Sequence, residues 1–356
     1  MSFTQECALS NNDPDWRYAV EFFLKRLRRV PFRKAAAFAI DIMRHRQALL
    51  ALLRTPRASN LGALVAAYPE IFFMASGPYL AENWNGTERI VQLIDHCKTV
   101  AGSSLDLPPG ARLELCHLTF IDPRYRLIVH QPREFIWEGL LDLSLCYEER
   151  IIFSVRFSLS SAGGKRIAYI GAVQGRHQKY EPTITDIYKD FSLKAERMRP
   201  RDFMIEAFQL LCNPLGIDEI LAVSDQNKPR RCYERSYNDD WRERGGTYNG
   251  NGFFRLPTDP HRRSEEDMAS KKRAMYRRRY RMLAEVQSAL GDTLQRRSFP
   301  PDKTLLFRPK AKAAIRQRTV HFLLSLDGSQ PPPAGSRATA QCGRFSREDN
   351  ATFRLS

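Results

Sequence analysis

Three groups of residues carry side-chain types at spacings from which chemistry could follow. The first is SKKRAMYRRRYR, where seven cations and no acid stand between Lys271 and Arg281. Lys271, Lys272, Arg273, Arg277, Arg278 and Arg281 are candidate anion-binding residues, because Lys and Arg neutralise phosphates and the interleaved Tyr276 and Tyr280 could stack on bases. The same run also reads as a helix held by Met275, Met282, Leu283, Val286 and Leu290. Its arginines would then lie in water or pair with Glu265, Glu266 and Asp267. A third reading is an amphipathic helix resting on anionic lipid.

The second group is a cationic segment, Lys194, Arg197, Arg199 and Arg201, running into a helix whose first residue is Pro200. A helix N-terminus offers free N–H groups and a partial positive charge, and Arg197, Arg199 and Arg201 would add donors for a cofactor phosphate. A solvated basic loop explains the same residues. No G-x-x-x-x-G-K-S/T and no G-x-G-x-x-G lies there. The third group is Asp225, at the end of ILAVSD, with Tyr233 on the following segment. Both are candidate catalytic residues, since strand ends carry functional groups in sheet proteins. Asp225 equally suits a helix cap, and Cys232 and Tyr233 equally suit packing. The seven histidines show no ligand spacing, and neither H-E-x-x-H nor G-x-S-x-G occurs, so no metal is expected.

These residues need elements to hold them, and the composition supports a folded chain. The sequence has 356 residues, 43% hydrophobic and 27% charged, with a net charge of +16. That excludes wholesale disorder and a collagenous repeat, and it favours an anionic partner: a phosphate-bearing ligand, nucleic acid or an anionic lipid surface. Seven scattered cysteines without a C-x-x-C pair argue for a reducing compartment. The most apolar stretch, Ala35 to Leu53, is broken by Asp41, Arg44, His45 and Arg46, so no transmembrane segment is expected. The start of the chain lacks a signal-peptide pattern. The expected location is cytoplasmic, free or peripheral to the inner membrane.

Four regions follow. Residues 1–110 read as helical, with Tyr79 and Trp84 as aromatic packing. Residues 111–260 read as an α+β core. Within it, Leu141, Leu143, Leu145 and Tyr147 alternate with polar residues, and Phe153, Val155, Phe157 and Leu159 do the same. That predicts an antiparallel hairpin with one buried face. Gly163-Gly164 turns the chain into RIAYIGAVQG, a central strand, and a cationic loop then leads into the helix at Pro200. Next come a buried strand, ILAVSD, a short helix over NKPRRCYERS, and a Gly-kinked final hairpin, WRERGGTYNGNGFFRLP. Residues 261–297 carry the basic amphipathic helix, predicted over 270–290. Residues 298–356 are rich in Pro, Ser, Gly and Arg and read as a disordered tail.

The ordered runs HQPREFIWEGLLDLSLCYEERIIFSVRFSLS, YIGAVQGRH, MRPRDFMIEAFQLL, ILAVSDQN, DDWRERGG, FFRLP and SKKRAMYRRRYRML resemble the VirK/YbjX-like family of Gram-negative bacteria over roughly residues 20–295. The resemblance implies a protein of unknown biochemical activity linked to virulence, envelope or stress phenotypes. The order of elements in the core also looks like an N-acyltransferase of the GNAT type, a mixed and mostly antiparallel sheet. That likeness implies an acyl-CoA cofactor, phosphate held by Arg199 and Arg201, and Tyr233 as the acid that protonates the leaving thiolate. The Q/R-x-x-G-x-G/A loop of that family is absent.

Overall fold

A computed structural model describes residues 43–53, 77–132, 136–228, 236–264 and 268–298, with residues 40, 64, 71, 74 and 266. The helix expected before residue 40, Tyr233 with most of NKPRRCYERS, and the tail after Ser298 lie outside them.

Glycine and polar turns dictate the first half of the sheet. Strands β1 (Arg112–His117), β2 (Tyr125–His130), β3 (Leu141–Tyr147), β4 (Arg150–Ala162) and β5 (Lys165–Gly175) form an antiparallel meander. Glu148-Glu149 alone joins β3 to β4, with Glu148 left-handed at φ 52°. Gly163 and Gly164 join β4 to β5 at φ 59° and 77°. Two consecutive positive φ values are the requirement of the tight hairpin turn that matches strand twist, and glycine meets it without strain.

Beyond β5 the direction changes. Strand β6 (Glu219–Val223) lies parallel to β5, and a parallel pair needs a crossover. Two helices supply it, α3 (Ile184–Lys194) and α4 (Pro200–Cys212). Helix α3 corrects the sequence reading of a plain loop here: Ile184, Ile187 and Phe191 recur on one face and are buried. Helix α4 starts with Pro200 at its first turn, as expected, and buries Met204, Ala207, Phe208 and Leu211. Next, α5 (Tyr237–Glu243) starts at an N-cap serine, Ser236, whose hydroxyl accepts from the Asp239 N–H. The sequence reading had given Trp241 to a hairpin. The hairpin itself, β7 (Thr247–Tyr248) and β8 (Phe253–Leu256), follows and places β8 beside β6. Among the described residues the strand order is β1-β2-β3-β4-β5-β6-β8-β7.

One face of the sheet is apolar. Leu127, Val129, Leu141, Leu143, Leu145, Val155 and Phe157 join a single buried cluster with α4 and α6 (Ser270–Ser298), the last helix among the described residues. Phe157 and Phe208 meet edge to face with centroids 5.0 Å apart. Helix α6 is longer than predicted. Its second half is held by buried Met282, Leu283, Val286, Leu290 and Leu294. Before the sheet stand α1 (Arg46–Leu53) and α2 (Gly86–Val100), the latter opened by a reciprocal capping box between Asn85 and Glu88. Helix α2 covers β4 where it outruns β3. There the Gln92 amide donates to the Leu159 carbonyl at 3.2 Å, and the Leu159 N–H donates to His96 Nδ1 at 2.9 Å. These contacts satisfy a strand edge that would otherwise be bare. Tyr79 is fully buried and Trp84 packs on Tyr169 and Phe253, as the sequence suggested.

Candidate functional site

The second face of the sheet departs from the sequence reading. The hairpin was expected to turn its polar residues to solvent, yet Asp142, Ser144 and Ser158 are 3%, 0% and 0% exposed. Register explains what they do instead. His130 pairs with Asp142 across β2–β3, and Asp142 with Arg156 across β3–β4. One step along, Ser144 pairs with Ser154, and Ser154 with Gln174. Side chains alternate across a strand, so the polar residues share the face opposite the leucines. Most of them border a cavity of about 370 Å³, within the usual size range of small-molecule sites. Arg112, His130, Asp142, Ser154, Arg156, Gln174 and Arg176 line it.

Arg156 closes one wall. Its Nε and Nη2 fork onto the two Asp142 oxygens at 2.7 and 3.0 Å, and its Nη1 donates to Glu138 Oε2 at 2.9 Å. The Gln174 amide donates to the same Glu138 oxygen at 2.7 Å. Planar, two-pronged pairing suits a guanidinium that must neutralise buried carboxylates. Glu138 sits on a 3₁₀ turn, Ile136–Glu138, pressed onto the sheet. Two glycines admit it. A Cβ on Gly171 would overlap the Glu138 carbonyl oxygen, and one on Gly139 (φ 145°) would lie 2.7 Å from the Phe157 carbonyl oxygen.

His130 and two serines form the other wall. His130 Nδ1 is 3.1 Å from the Gln131 carbonyl oxygen, which can only accept, so Nδ1 carries the proton. Nε2 then presents its lone pair to Ser144 Oγ at 3.0 Å, and Ser144 receives from Ser154 Oγ at 2.8 Å. Burial is the main cause holding His130 below the ordinary imidazole range, so it is neutral near pH 7. The order Ser154, Ser144, His130 can therefore pass a proton from one cavity-lining group to another, with the partly buried His130 as the base.

Next to this cavity the sheet splits. β5 and β6 pair only over Ile167–Ile170 and Glu219–Ala222. Past that point α5 fills the gap. The Val173 N–H donates to Tyr237 Oη at 3.1 Å, and Trp241 Nε1 donates to the Val223 carbonyl at 2.9 Å. Tyr237 and Trp241 are 2% and 0% exposed.

The candidate residues from the sequence take up three kinds of place. Asp225 anchors α5: its carboxylate accepts from the Tyr237 and Asn238 N–H groups at 2.9 and 3.1 Å, from the Ser236 hydroxyl at 2.8 Å and from Lys228 Nζ at 3.1 Å. Burial works to raise its pKa, but these hydrogen bonds outweigh it and bring the group down to about 2. Arg201 faces inward, paired with Asp240 and 5.9 Å from the Tyr237 ring centre. Asp225 and Arg201 thus meet at α5, whereas Arg197 and Arg199 are exposed. Arg197 has φ 63°, and Arg199 caps α4 with its backbone extended. On α6, Lys271, Lys272, Arg273, Arg277, Arg278 and Arg281 are all exposed. Arg278 pairs with Glu196 at 2.8 Å, an acid from the α3–α4 loop that the sequence reading had not considered.

Sequence reasoning missed His130, Ser144, Ser154, Arg156, Asp142, Glu138 and Gln174. A signal existed, because a two-residue turn at Glu148-Glu149 brings Asp142 and Arg156 to within one step of each other. Among the described residues no group of three or more His, Cys, Asp or Glu is placed to hold a metal ion. No helix there is long and apolar enough to cross a membrane.

With this arrangement in hand, the comparisons place the chain. The family model described as "Protein of unknown function (DUF535)" matches residues 28–292, so the chain belongs to that family, the VirK/YbjX-like proteins. It is 28% identical over 259 residues to "Uncharacterized protein YbjX" of Escherichia coli K12, covering 65% of this chain and 74% of that one. An "Uncharacterized protein" of Haemophilus influenzae Rd is 27% identical over 172 residues, covering 47% and 56% of the two chains. Another from the same organism is 31% identical over 106 residues, covering 28% and 36%. No solved structure matches the chain significantly.

Proposed function

We propose that this chain is an acyltransferase that takes its acyl group from CoA or from a carrier-bound donor and passes it to an acceptor in the cavity over β2–β5. The strand order carries the reading. An antiparallel hairpin, a central strand, a helix led by cations, a parallel strand and a further helix follow one another as in a GNAT-type core, and β5 and β6 part beside the polar cavity. Arg197 and Arg199, exposed ahead of α4, would hold donor phosphate. His130 would take the acceptor's proton through Ser144 and Ser154, and Tyr233 would protonate the departing thiolate. Because Tyr237 occupies the β5 edge, a donor lying along β5 displaces its hydroxyl from Val173. Support of virulence, envelope or stress functions is the setting that the VirK/YbjX likeness suggests.

Thermal unfolding with acetyl-CoA, a long-chain acyl-CoA and free CoA, each at two salt concentrations, tests this. A ligand at about 100 times its Kd stabilises the native state by about 2.7 kcal/mol. A shift with an acyl-CoA that survives added salt and disappears in Arg197→Ala/Arg199→Ala supports the reading. The absence of any shift at low salt with all three would overturn it.

A further inference from the structure

Two cationic segments that lie far apart in the sequence meet on one surface, and a third joins them. Glu196, between α3 and α4, accepts from Arg278 through its carboxylate and from Arg279 through its carbonyl, at 2.8 and 2.9 Å. The loop bearing exposed Arg197 and Arg199 is thereby fixed along one flank of α6. On the other flank, Arg263 donates its N–H to Tyr280 Oη at 2.9 Å, and Arg262 lies 5.7 Å from the Tyr280 ring centre. Between the flanks Arg273, Arg277 and Arg281 recur every fourth residue on the exposed side of α6. At 1.5 Å per residue they make a ridge about 12 Å long. Glu196, one acid that touches this stretch, is already engaged by Arg278, which lowers its pKa.

We propose that this surface, a basic ridge between two basic shoulders, binds the phosphate backbone of a nucleic acid. A lipid surface fits less well. A helix lying in a membrane interface sinks an apolar face between the lipids. Most of the large apolar residues of α6 are spent on the protein: Met282, Leu283, Val286, Leu290 and Leu294 are 7% exposed or less, and Met275 is half-buried. The exposed stretch from Lys271 to Arg281 holds no Leu, Ile, Phe or Trp. Tyr276 and Tyr280 contact each other at 5.9 Å, and Arg279 stacks on Tyr276 at 4.8 Å. These rings shape the ridge, which contacts charge and reads no base. The shoulder with Arg197 and Arg199 is shared with the acyl-transfer reading, whereas the ridge of Arg273, Arg277 and Arg281 belongs to this proposal alone, so the two are tested on different residues.

The full chain is titrated against a labelled 20-nucleotide single strand, its duplex and phosphatidylglycerol vesicles, at about 50 and about 200 mM salt. Each phosphate contact to duplex weakens binding by about 3.5-fold across that range. Arg273→Ala/Arg277→Ala/Arg281→Ala should weaken nucleic-acid binding at least tenfold and lower the salt exponent by about 2.7. Its melting temperature should match wild type, because the three residues are exposed. The charge-preserving Arg→Lys triple variant should retain most of the binding. The proposal is overturned if the alanine variant binds nucleic acid like wild type, if only vesicles bind, or if neither probe binds at about 50 mM salt.

Discussion

Arg156 is the residue on which the polar face depends. It is the cation between Glu138 and Asp142, whose side chains are 1% and 4% exposed. Removing one partner from a buried ion cluster leaves charge without compensation, at a cost of about 3–5 kcal/mol. Arg156→Met should lower the urea midpoint accordingly, and Arg156→Lys should cost less while losing the two-pronged fit to Asp142. A milder perturbation reaches the same cluster from behind. Gly171→Ala should push the Glu138 turn off the sheet, because the new methyl overlaps a backbone oxygen that cannot rotate away. The predicted signature is a destabilised protein in which Arg156→Met adds less than it does in wild type, measured as a double-mutant cycle. None of this was visible in hydrophobic alternation alone. That pattern identifies the apolar face of β3 and β4, but the pairing of Asp142 with Arg156 depends on a register that shifts at Leu145/Cys146. The capping role of Asp225, by contrast, was legible, because a carboxylate between a strand and a helix has few other ways to satisfy the free N–H groups.

Among the elements, α6 and α5 matter in different ways. Met282, 7% exposed, belongs to the buried side of α6, while its neighbour Arg281 is exposed. Met282→Ala should cost about 2–5 kcal/mol in chemical denaturation, and Arg281→Ala should stay within about 0.5 kcal/mol. Equal effects would mean the two faces of the helix had been misassigned. Helix α5 works through two side chains that replace strand partners. Tyr237→Phe leaves the buried Val173 N–H without its acceptor and should destabilise by about 1–3 kcal/mol. The sequence revealed α6 up to its last two turns, because its apolar stripe runs for many turns. It concealed α3, whose three buried residues are separated by Lys189, Asp190 and Tyr188 in a segment dominated by charge. It concealed α5 as well, since seven residues are too few for a period to emerge.

At the scale of the molecule, buried histidines make stability depend on pH. Burial pushes His96 down to about 3, and His130 is lowered for the same reason. Each binds its proton more readily in the unfolded chain. Their contribution is therefore complete well above pH 6.5 and falls with decreasing pH, for His96 by up to about 1.4 kcal/mol per unit. Glu206, pushed up to about 7 mainly by burial, acts in the opposite sense, because the folded state takes up its proton first. The informative quantity is consequently a difference. Between pH 6 and 5, wild type should lose about 1.2 kcal/mol more than His96→Gln, read from urea midpoints. Equal slopes would place His96 in contact with water.

The bond from Thr293 to the Leu115 carbonyl joins residues 178 positions apart. Its consequence lies in the order of synthesis. All the strands described leave the ribosome before α6 does, so a nascent sheet waits with the apolar side of its first strand uncovered. Release of the chain just before Ser270 should leave that side permanently bare and yield an aggregating product. Synthesis of α6 is therefore also the step that takes the apolar side of the sheet out of reach of other chains.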